Sequence, residues 1–248
     1  MIKYSIISVV NKQYKKFASV FIQSALENLN LDNIHEICIL DTGLSQNDHD
    51  NLSALHPKVK LIKFDNEISS DVAWDSGWQD NVLLKTKFTY DYINKNKIPA
   101  CMIDIDSMFI KDLSDIMKHE GDVILCDRSE EWSGMPYIAS FVGFLNVDKS
   151  LQFISQWRTA MDNITTYETK ETPALNEMAR NNSEYDLLGA SFKIVGLYHD
   201  SLINDETRIL HFKGGGMSEN ISVDEAVMIR FNRFPSHITN IMKYLQHV

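Results

Sequence analysis

Short, nearly unbroken apolar runs alternate with longer segments whose apolar residues recur every three or four positions. Residues 4–10, YSIISVV, form a first run of strand length, and Phe17, Val20, Phe21, Ala25 and Leu29 follow at helical spacing. Residues 34–40 and 59–64 repeat the strand pattern, with a helix expected between them at about 47–55. A helix over about 81–95 leads into another apolar run at 99–103. Beyond it the pattern predicts a short helix at 111–119, strands at 122–127 and 136–147, and helices at 151–161 and 171–180. Short strands at 190–195 and 208–212 come last, before an amphipathic helix at 236–248. Strand and helix alternating in this way predict an α/β fold with a mostly parallel central sheet flanked by helices. The last helix, about 236–247, is expected to cap the domain; dimerisation or contact with a membrane surface are its other uses.

The run at 99–103 continues into the stretch CMIDIDSMFI, which sets Asp104 and Asp106 one residue apart among apolar neighbours. On a strand, residues i and i+2 point the same way, so both carboxylates are expected on one side of the strand's carboxyl end. In open α/β sheets that end is where ligands bind. Adjacent carboxylates repel, and removing each from water costs several kcal/mol, so a divalent cation is the simplest compensation. The bland alternative is a strand that has already emerged into water. A second pair of the same spacing, Asp48 and Asp50, lies in the polar stretch SQNDHDN and reads as solvated surface.

With 248 residues, 44% of them hydrophobic and 10% aromatic, and with only 10 Gly and 5 Pro, the chain can bury a substantial core. It has no internal repeat, low-complexity segment or evident linker, so one domain over residues 1–248 is expected. A formal charge of -10 without a Lys/Arg cluster argues against nucleic-acid binding, and an acidic protein handling a phosphorylated ligand would normally borrow a metal. Cys38, Cys101 and Cys126 fall in apolar runs without paired spacing and are expected to be small buried hydrophobes in a reducing compartment. No signal core and no membrane-spanning run is present, which predicts a cytoplasmic protein, with peripheral membrane contact still open. The Asn-x-Ser/Thr matches at Asn51, Asn163, Asn181 and Asn220 then carry no glycosylation meaning.

Two further stretches bear on chemistry. HFKGGG, residues 211–216, follows a strand run with His211, Lys213 and three glycines, whose backbone N–H groups can approach phosphate oxygens closely; a flexible turn is the plain alternative. Residues 65–81 form a polar connection longer than usual and carry Trp74 and Trp78, which suit either a binding loop or a staple to the core.

The order of these parts resembles the GT-A glycosyltransferases: ILDTGLS after the second strand, Lys85 in a helix, a strand ending DID, then DVILCD, FVGFLNV, a helix with ALN, and HFKGG. The closest echo is of family 8-like retaining enzymes and related nucleotide-diphospho-sugar transferases, over roughly residues 4–216. The resemblance implies a transferase that moves a sugar from a nucleotide-sugar donor, a UDP-sugar in the first instance, to a glycan, lipid-linked or other hydroxyl acceptor. Asp104, Asp106 and His211 would hold Mn2+ or Mg2+ against the diphosphate, with Lys213, Gly214 and Gly215 on the phosphates. Val9, Val10, Asn11 and Asp41 would lie near the nucleoside, and Lys85 and Ile105 near the donor. Trp74 and Trp78 are assigned to the acceptor side.

The chain also departs from that pattern. Met217-Ser218-Glu219 stand where family 8 relatives carry Lys-Pro-Trp, and Glu171-Thr172 stand where many have Asp-Gln before ALN. Glu171 and Thr172 are the catalytic candidates: Glu171 as a base in an inverting reaction, or either residue, or one from the turn at 186–190, as the polar group beneath the anomeric carbon in a retaining one, which the resemblance favours. Glu171 in the first turn of a helix also has a plain reading as a partner of the helix dipole. Competing functions are a phosphatase of the haloacid dehalogenase type, which places Asp-x-Asp after an early strand, and a non-catalytic nucleotide- or sugar-binding subunit. A sugar-phosphate nucleotidyltransferase would show a Gly-rich loop where this chain has NKQYKKF.

Overall fold

The apolar runs of the sequence become the interior of a seven-stranded sheet, and the polar ends of those runs gather at one edge of it. The structure is a computed structural model that describes residues 3–65, 76–128, 133–165, 169–191, 195–197, 203–213 and 222–247. Its strands are β1 (Tyr4–Val10), β2 (Ile34–Asp41), β3 (Val59–Lys63), β4 (Ala100–Ile103), β5 (Ser107–Phe109), β6 (Val123–Asp127), β7 (Tyr137–Phe144), β8 (Leu187–Ser191), β9 (Val195–Leu197) and β10 (Ile209–His211). Its helices are α1 (Lys15–Asn28), α2 (Gln46–Ser53), α3 (Ser76–Asn96), α4 (Val147–Asn163), α5 (Glu171–Arg180), α6 (Val223–Phe231) and α7 (Ile238–Tyr244).

The central sheet runs β3-β2-β1-β4-β7-β6-β8, and a second, three-stranded sheet runs β5-β10-β9. Parallel pairs join β3, β2, β1 and β4, while β7 runs antiparallel between β4 and β6. The α/β, mostly parallel architecture expected from the alternation is therefore present. Period-two alternation along the strands divides the interior into two cores. Ile6, Ile37, Ile39, Cys101 and Ile103 face α1 and α2; Ile7, Cys38, Met102 and Val142 face the side of Phe153, Trp157 and Leu175 from α4 and α5. A third cluster joins Phe17 and Val20 of α1 to Leu210 and Phe212 and to Val227, Phe231, Ile241 and Tyr244 of the last two helices. Tyr244 O accepts from Ser19 Oγ at 2.6 Å and Gln23 Nε2 at 2.7 Å, which docks the chain's end against α1.

Four features differ from the pattern reading. Residues 111–119 form only a 3-10 turn at Ile116–Lys118, because Asp112 spends its carboxylate on the backbone N–H groups of Asn30 and Ser114, a local competition that disfavours helix. The run at 208–212 joins the second sheet rather than the central one. The strand expected at 190–195 is two strands, β8 and β9, in different sheets, with 192–194 outside the described residues. Helix α6 has no counterpart in the expected elements. Its start is written locally: Ser222 accepts from the backbone N–H of Glu225, the first half of a capping box, ahead of the apolar Ala226-Val227-Met228.

Candidate metal centre

β4 ends at Ile103, and the chain turns through residues 104–106 into β5, so it leaves the central sheet and enters the second one at the two aspartates. Both carboxylates thus sit in a bend between two sheets rather than along a strand, which corrects the expected i, i+2 strand geometry while keeping both at the strand's carboxyl end. Asp104 N–H donates to Ser140 O at 3.0 Å on β7, and Asp106 O accepts from Phe212 N at 2.8 Å. The second sheet supplies the third member: β10 pairs with β5 in the register His211↔Ser107, which sets His211 beside Asp106 across 105 positions of sequence.

His211 Nε2 lies 3.2 Å from Asp106 Oδ1 and 3.5 Å from Asp104 Oδ2. One ligand atom from each of Asp104, Asp106 and His211 falls within 4.8 Å of the others. The outer oxygens are held by cations. Lys85 of α3 pairs with Asp104 Oδ1, and Arg230 of α6 lies 3.4 Å from Asp106 Oδ2. Two oxygens and an imidazole nitrogen facing one another, with the remaining oxygens already engaged, make a donor set that could hold a divalent ion. His211 Nδ1 is buried without a hydrogen-bond partner among the described residues, and Nε2 is the ring atom that faces both carboxylates.

The electrostatics follow from burial and neighbours. Burial alone would push Asp106 up, but His211 and Arg230 outweigh it and hold the carboxyl down at about 2. Lys85 is also 3.1 Å from Glu171 Oε1, so one buried ammonium faces two carboxylates and is held well above the usual lysine range despite its own burial. A single charge cannot fully compensate both. Burial, helped by repulsion from Asp104 and opposed by Lys85, raises Glu171 to about 7. Lys213 is shifted downward by burial and by the nearby charge of Arg128.

The remaining expected residues occupy distinct places. Glu171 opens α5 and Thr172 follows, its Oγ1 3.4 Å from Ala139 N on β7. Val10 pairs in register with Asp41 at the ends of β1 and β2, and Val10 O accepts from Thr42 N at 2.8 Å. Asp41 is buried with its carboxylate engaged: Oδ1 accepts from Gly43 and Leu44 N–H, and Oδ2 lies 2.7 Å from His49 Nδ1. Asn11 Oδ1 accepts from Tyr14 N, and Val9 is half-buried beside it. Ile105 points into the core between the two aspartates. Trp74, Gly214 and Gly215 lie outside the described residues, and Trp78 falls in α3.

Three contributors were not singled out from sequence. Arg230 is buried, and its guanidinium packs over Tyr14 and Phe17 with ring centroids at 5.9 and 5.6 Å. Arg233 donates to Lys213 O at 2.7 Å, fixing the chain as it leaves β10. Asn176 grips the backbone of Tyr137 at both N–H and C=O, at 2.9 and 2.8 Å, which locks α5 to the start of β7. Asn176 lies in the quoted ALN, so its signal is present; Arg230 belongs to a helix that the pattern reading does not contain, and Arg233 to the turn that follows it.

No protein-family model and no curated protein matches the chain by sequence. Solved structures do match by shape. "WbbM bifunctional glycosytransferase" in its apo form superposes with a TM-score of 0.61 at 11% identity, over 98% of this chain and 52% of that one. An active-site mutant of LgtC superposes with a TM-score of 0.60 at 13% identity, over 91% of this chain and 94% of LgtC. The galactosyltransferase LgtC in complex with donor and acceptor sugar analogues gives 0.57 at 12%, over 92% and 96%. This chain thus spans about half the length of WbbM and nearly all of LgtC, and it has a GT-A-like fold.

Proposed function

We propose that the chain is a metal-dependent glycosyltransferase that moves a sugar from a nucleotide-diphosphate sugar, a UDP-sugar in the first instance, to a hydroxyl of a glycan or lipid-linked acceptor with retention. It acts as one domain over residues 1–248, in the cytoplasm and, where the acceptor is lipid-linked, against a membrane surface; no described helix is long and apolar enough to cross a membrane. The observation that carries the reading is the convergence of Asp104, Asp106 and His211 at the sheet's carboxyl edge, in a fold shared with glycosyltransferases. That shared fold does not favour the phosphatase or the non-catalytic subunit.

Asp104 Oδ2, Asp106 Oδ1 and His211 Nε2 would hold the ion. When bound, the ion supplies Lewis-acid stabilisation of the departing diphosphate. Lys85 fixes Asp104 and reaches Glu171, tying the ligand cluster to the start of α5. Lys213 stands on the chain leaving β10, in the place of a phosphate-neutralising lysine, and the Gly214 and Gly215 backbone is assigned to the same phosphates. Val9, Val10, Asn11 and Asp41 are assigned to the nucleoside end, Ile105 to the donor through its backbone, since its side chain is in the core, and Trp74 and Trp78 to the acceptor. Glu171, buried beside Lys85 at 3.1 Å, would face a developing oxocarbenium centre in its ionised form, which that lysine steadies. Thr172 places a hydroxyl one residue further into the helix.

Calorimetry with UDP, GDP and CMP, each with and without Mn2+, followed by donor hydrolysis with any ligand that binds, tests the proposal. Metal-dependent binding of a nucleoside diphosphate is expected. If none binds under any metal condition, the transferase reading is wrong.

A further inference from the structure

Asp104 and Asp106 do not face the ligand position as two free negative charges. Lys85 occupies the outer oxygen of one, and Arg230 the outer oxygen of the other at 3.4 Å. Two formal negative charges are thus matched by two formal positive ones, while Glu171 and Lys213 add one potential charge of each sign. Arg230 is the less expected partner, because it comes from α6, outside the central sheet. Its side chain is 4% exposed and wedged against Tyr14 and Phe17, so it cannot swing into solvent when another cation approaches. A guanidinium does not lose its proton in a protein, so the charge is permanent.

A divalent ion entering at Asp106 Oδ1 would meet that charge across the width of one carboxylate. Coulomb repulsion at such a separation is weakened little by mobile ions when the groups are buried. The same ion arriving with a diphosphate brings its own compensating negative charge. We propose that Arg230 is a built-in counter-cation of Asp106 that keeps a bare divalent ion weakly bound and reserves tight binding for the ion accompanied by a nucleoside diphosphate. The proposal rests on the metal-dependent reading above and adds to it a coupling between the two ligands, set by a residue that touches neither.

Titration calorimetry of the full chain with Mn2+, alone and in the presence of whichever of UDP and GDP binds, tests it. The wild-type chain is expected to bind Mn2+ at least about tenfold more tightly with the nucleotide, within the usual range of ligand coupling. Arg230→Met keeps an unbranched stem against Tyr14 and Phe17 but removes the charge. It should bind bare Mn2+ at least about tenfold more tightly than wild type, and the gain from nucleotide should shrink by a like factor. Arg230→Lys loses the planar group stacked on Tyr14 and Phe17 but keeps the positive charge, so bare Mn2+ should bind no more than about threefold more tightly than in wild type and the gain from nucleotide should persist. Bare Mn2+ binding by Arg230→Met that is unchanged or weaker overturns the proposal, since a residue that merely shapes the site loses affinity when removed. If the Met variant fails to fold by circular dichroism, the Lys variant decides: a lost gain from nucleotide there assigns Arg230 a geometric role and also overturns it. A wild-type chain that takes up no Mn2+ with or without nucleotide, or an Asp106→Asn chain that titrates like wild type, removes the metal reading itself, a failure visible before any Arg230 variant is compared.

Discussion

Asp48-His49-Asp50 and Asp104-Ile105-Asp106 spell the same spacing and lead opposite lives. On α2, Asp48 accepts from Ser45 Oγ and faces one distant cation, Lys15, at 3.6 Å, while the exposed Asp50 accepts from Gln46 Nε2 four residues away. In the bend between β4 and β5, every charged partner is distant in sequence: Lys85 by 19 positions, His211 by 105 and Arg230 by 124. One distant cation beside a helix does not make a site; two carboxylates converging with an imidazole and two cations do. The difference is set by where the fold delivers the pair: Asp50 stays in water and Asp48 meets one cation, while Asp104 and Asp106 are brought against two cations and an imidazole.

The largest effect should come from breaking the buried pair. Asp106→Ala removes one of the proposed ligand oxygens and the carboxylate that faces the buried Arg230. Metal-dependent nucleotide binding should be lost, and any transfer measured with the identified donor should fall by about 10²-fold or more, on the scale of removing one electrostatic stabiliser from an active site. Retained metal-dependent binding in a folded Asp106→Ala chain would break the contrast between the pairs at its stronger end.

Glu171 should give a smaller but more diagnostic effect. Glu171→Gln is expected to lower turnover by about 10²-fold while leaving Mn2+-dependent nucleotide binding within a few-fold, because it changes a carboxylate beyond the three ligands. It also carries a pH signature. The carboxyl is raised from its ordinary 4.5 to about 7 in the folded chain, so the folded state holds the extra proton between those values. Stability from this group is therefore full below about 4.5 and is lost as pH rises through about 7. Thermal melts of the wild-type chain should show that decline between pH 5 and 8, and Glu171→Gln should flatten it. An identical pH slope in both proteins would show that Glu171 is ionised throughout, as an ordinary ion-pair partner of Lys85.

Much of this was legible in the chain. The β1, β2, β4 and β6 runs are short, apolar and bounded by polar residues, and α5 occupies the expected residues 171–180. Asp104 and His211 stand out because each ends an apolar run, and Asp106 because it repeats the charge two positions on, among apolar neighbours. What the pattern could not give is register. Nothing near residue 211 states that β10 pairs with β5, and that pairing brings the histidine to Asp106. Nor could local periodicity reveal that β7 runs antiparallel or that the aspartates lie in a bend between two sheets. Arg230 was missed for a different reason: α6 is apolar on most sides, with Ala226, Val227, Phe231 and Arg230 all buried, so it offers no clean amphipathic stripe.

The cap of that helix supplies a milder test. Ser222→Ala removes the acceptor for Glu225 N–H and should cost about 1 kcal/mol of stability, the usual worth of an N-cap. Ser222 is five residues outside the third core cluster's Val227 and makes no described contact with Asp106, so Mn2+-dependent nucleotide binding should remain within about twofold once the protein is folded. A large loss of binding at unchanged stability would mean that the helix start itself belongs to the site.

The smallest effect is expected from the decoy, and its smallness is what gives the comparison force. Asp50 is exposed on α2, where its carboxylate accepts only from Gln46 among the described side chains, at 2.7 Å. An exposed polar contact of this kind competes with water at little net gain, so Asp50→Ala should change stability by no more than about 0.5 kcal/mol. Its effect on Mn2+-dependent nucleotide binding should lie within error. Placed beside Asp106→Ala in the same titration, it holds residue type and spacing constant and varies only the partners that the fold provides. If Asp50→Ala lost as much binding as Asp106→Ala, proximity of opposite charge and burial would not be what distinguishes a site from a surface in this molecule, and the assignment of Asp104, Asp106 and His211 would fall with it.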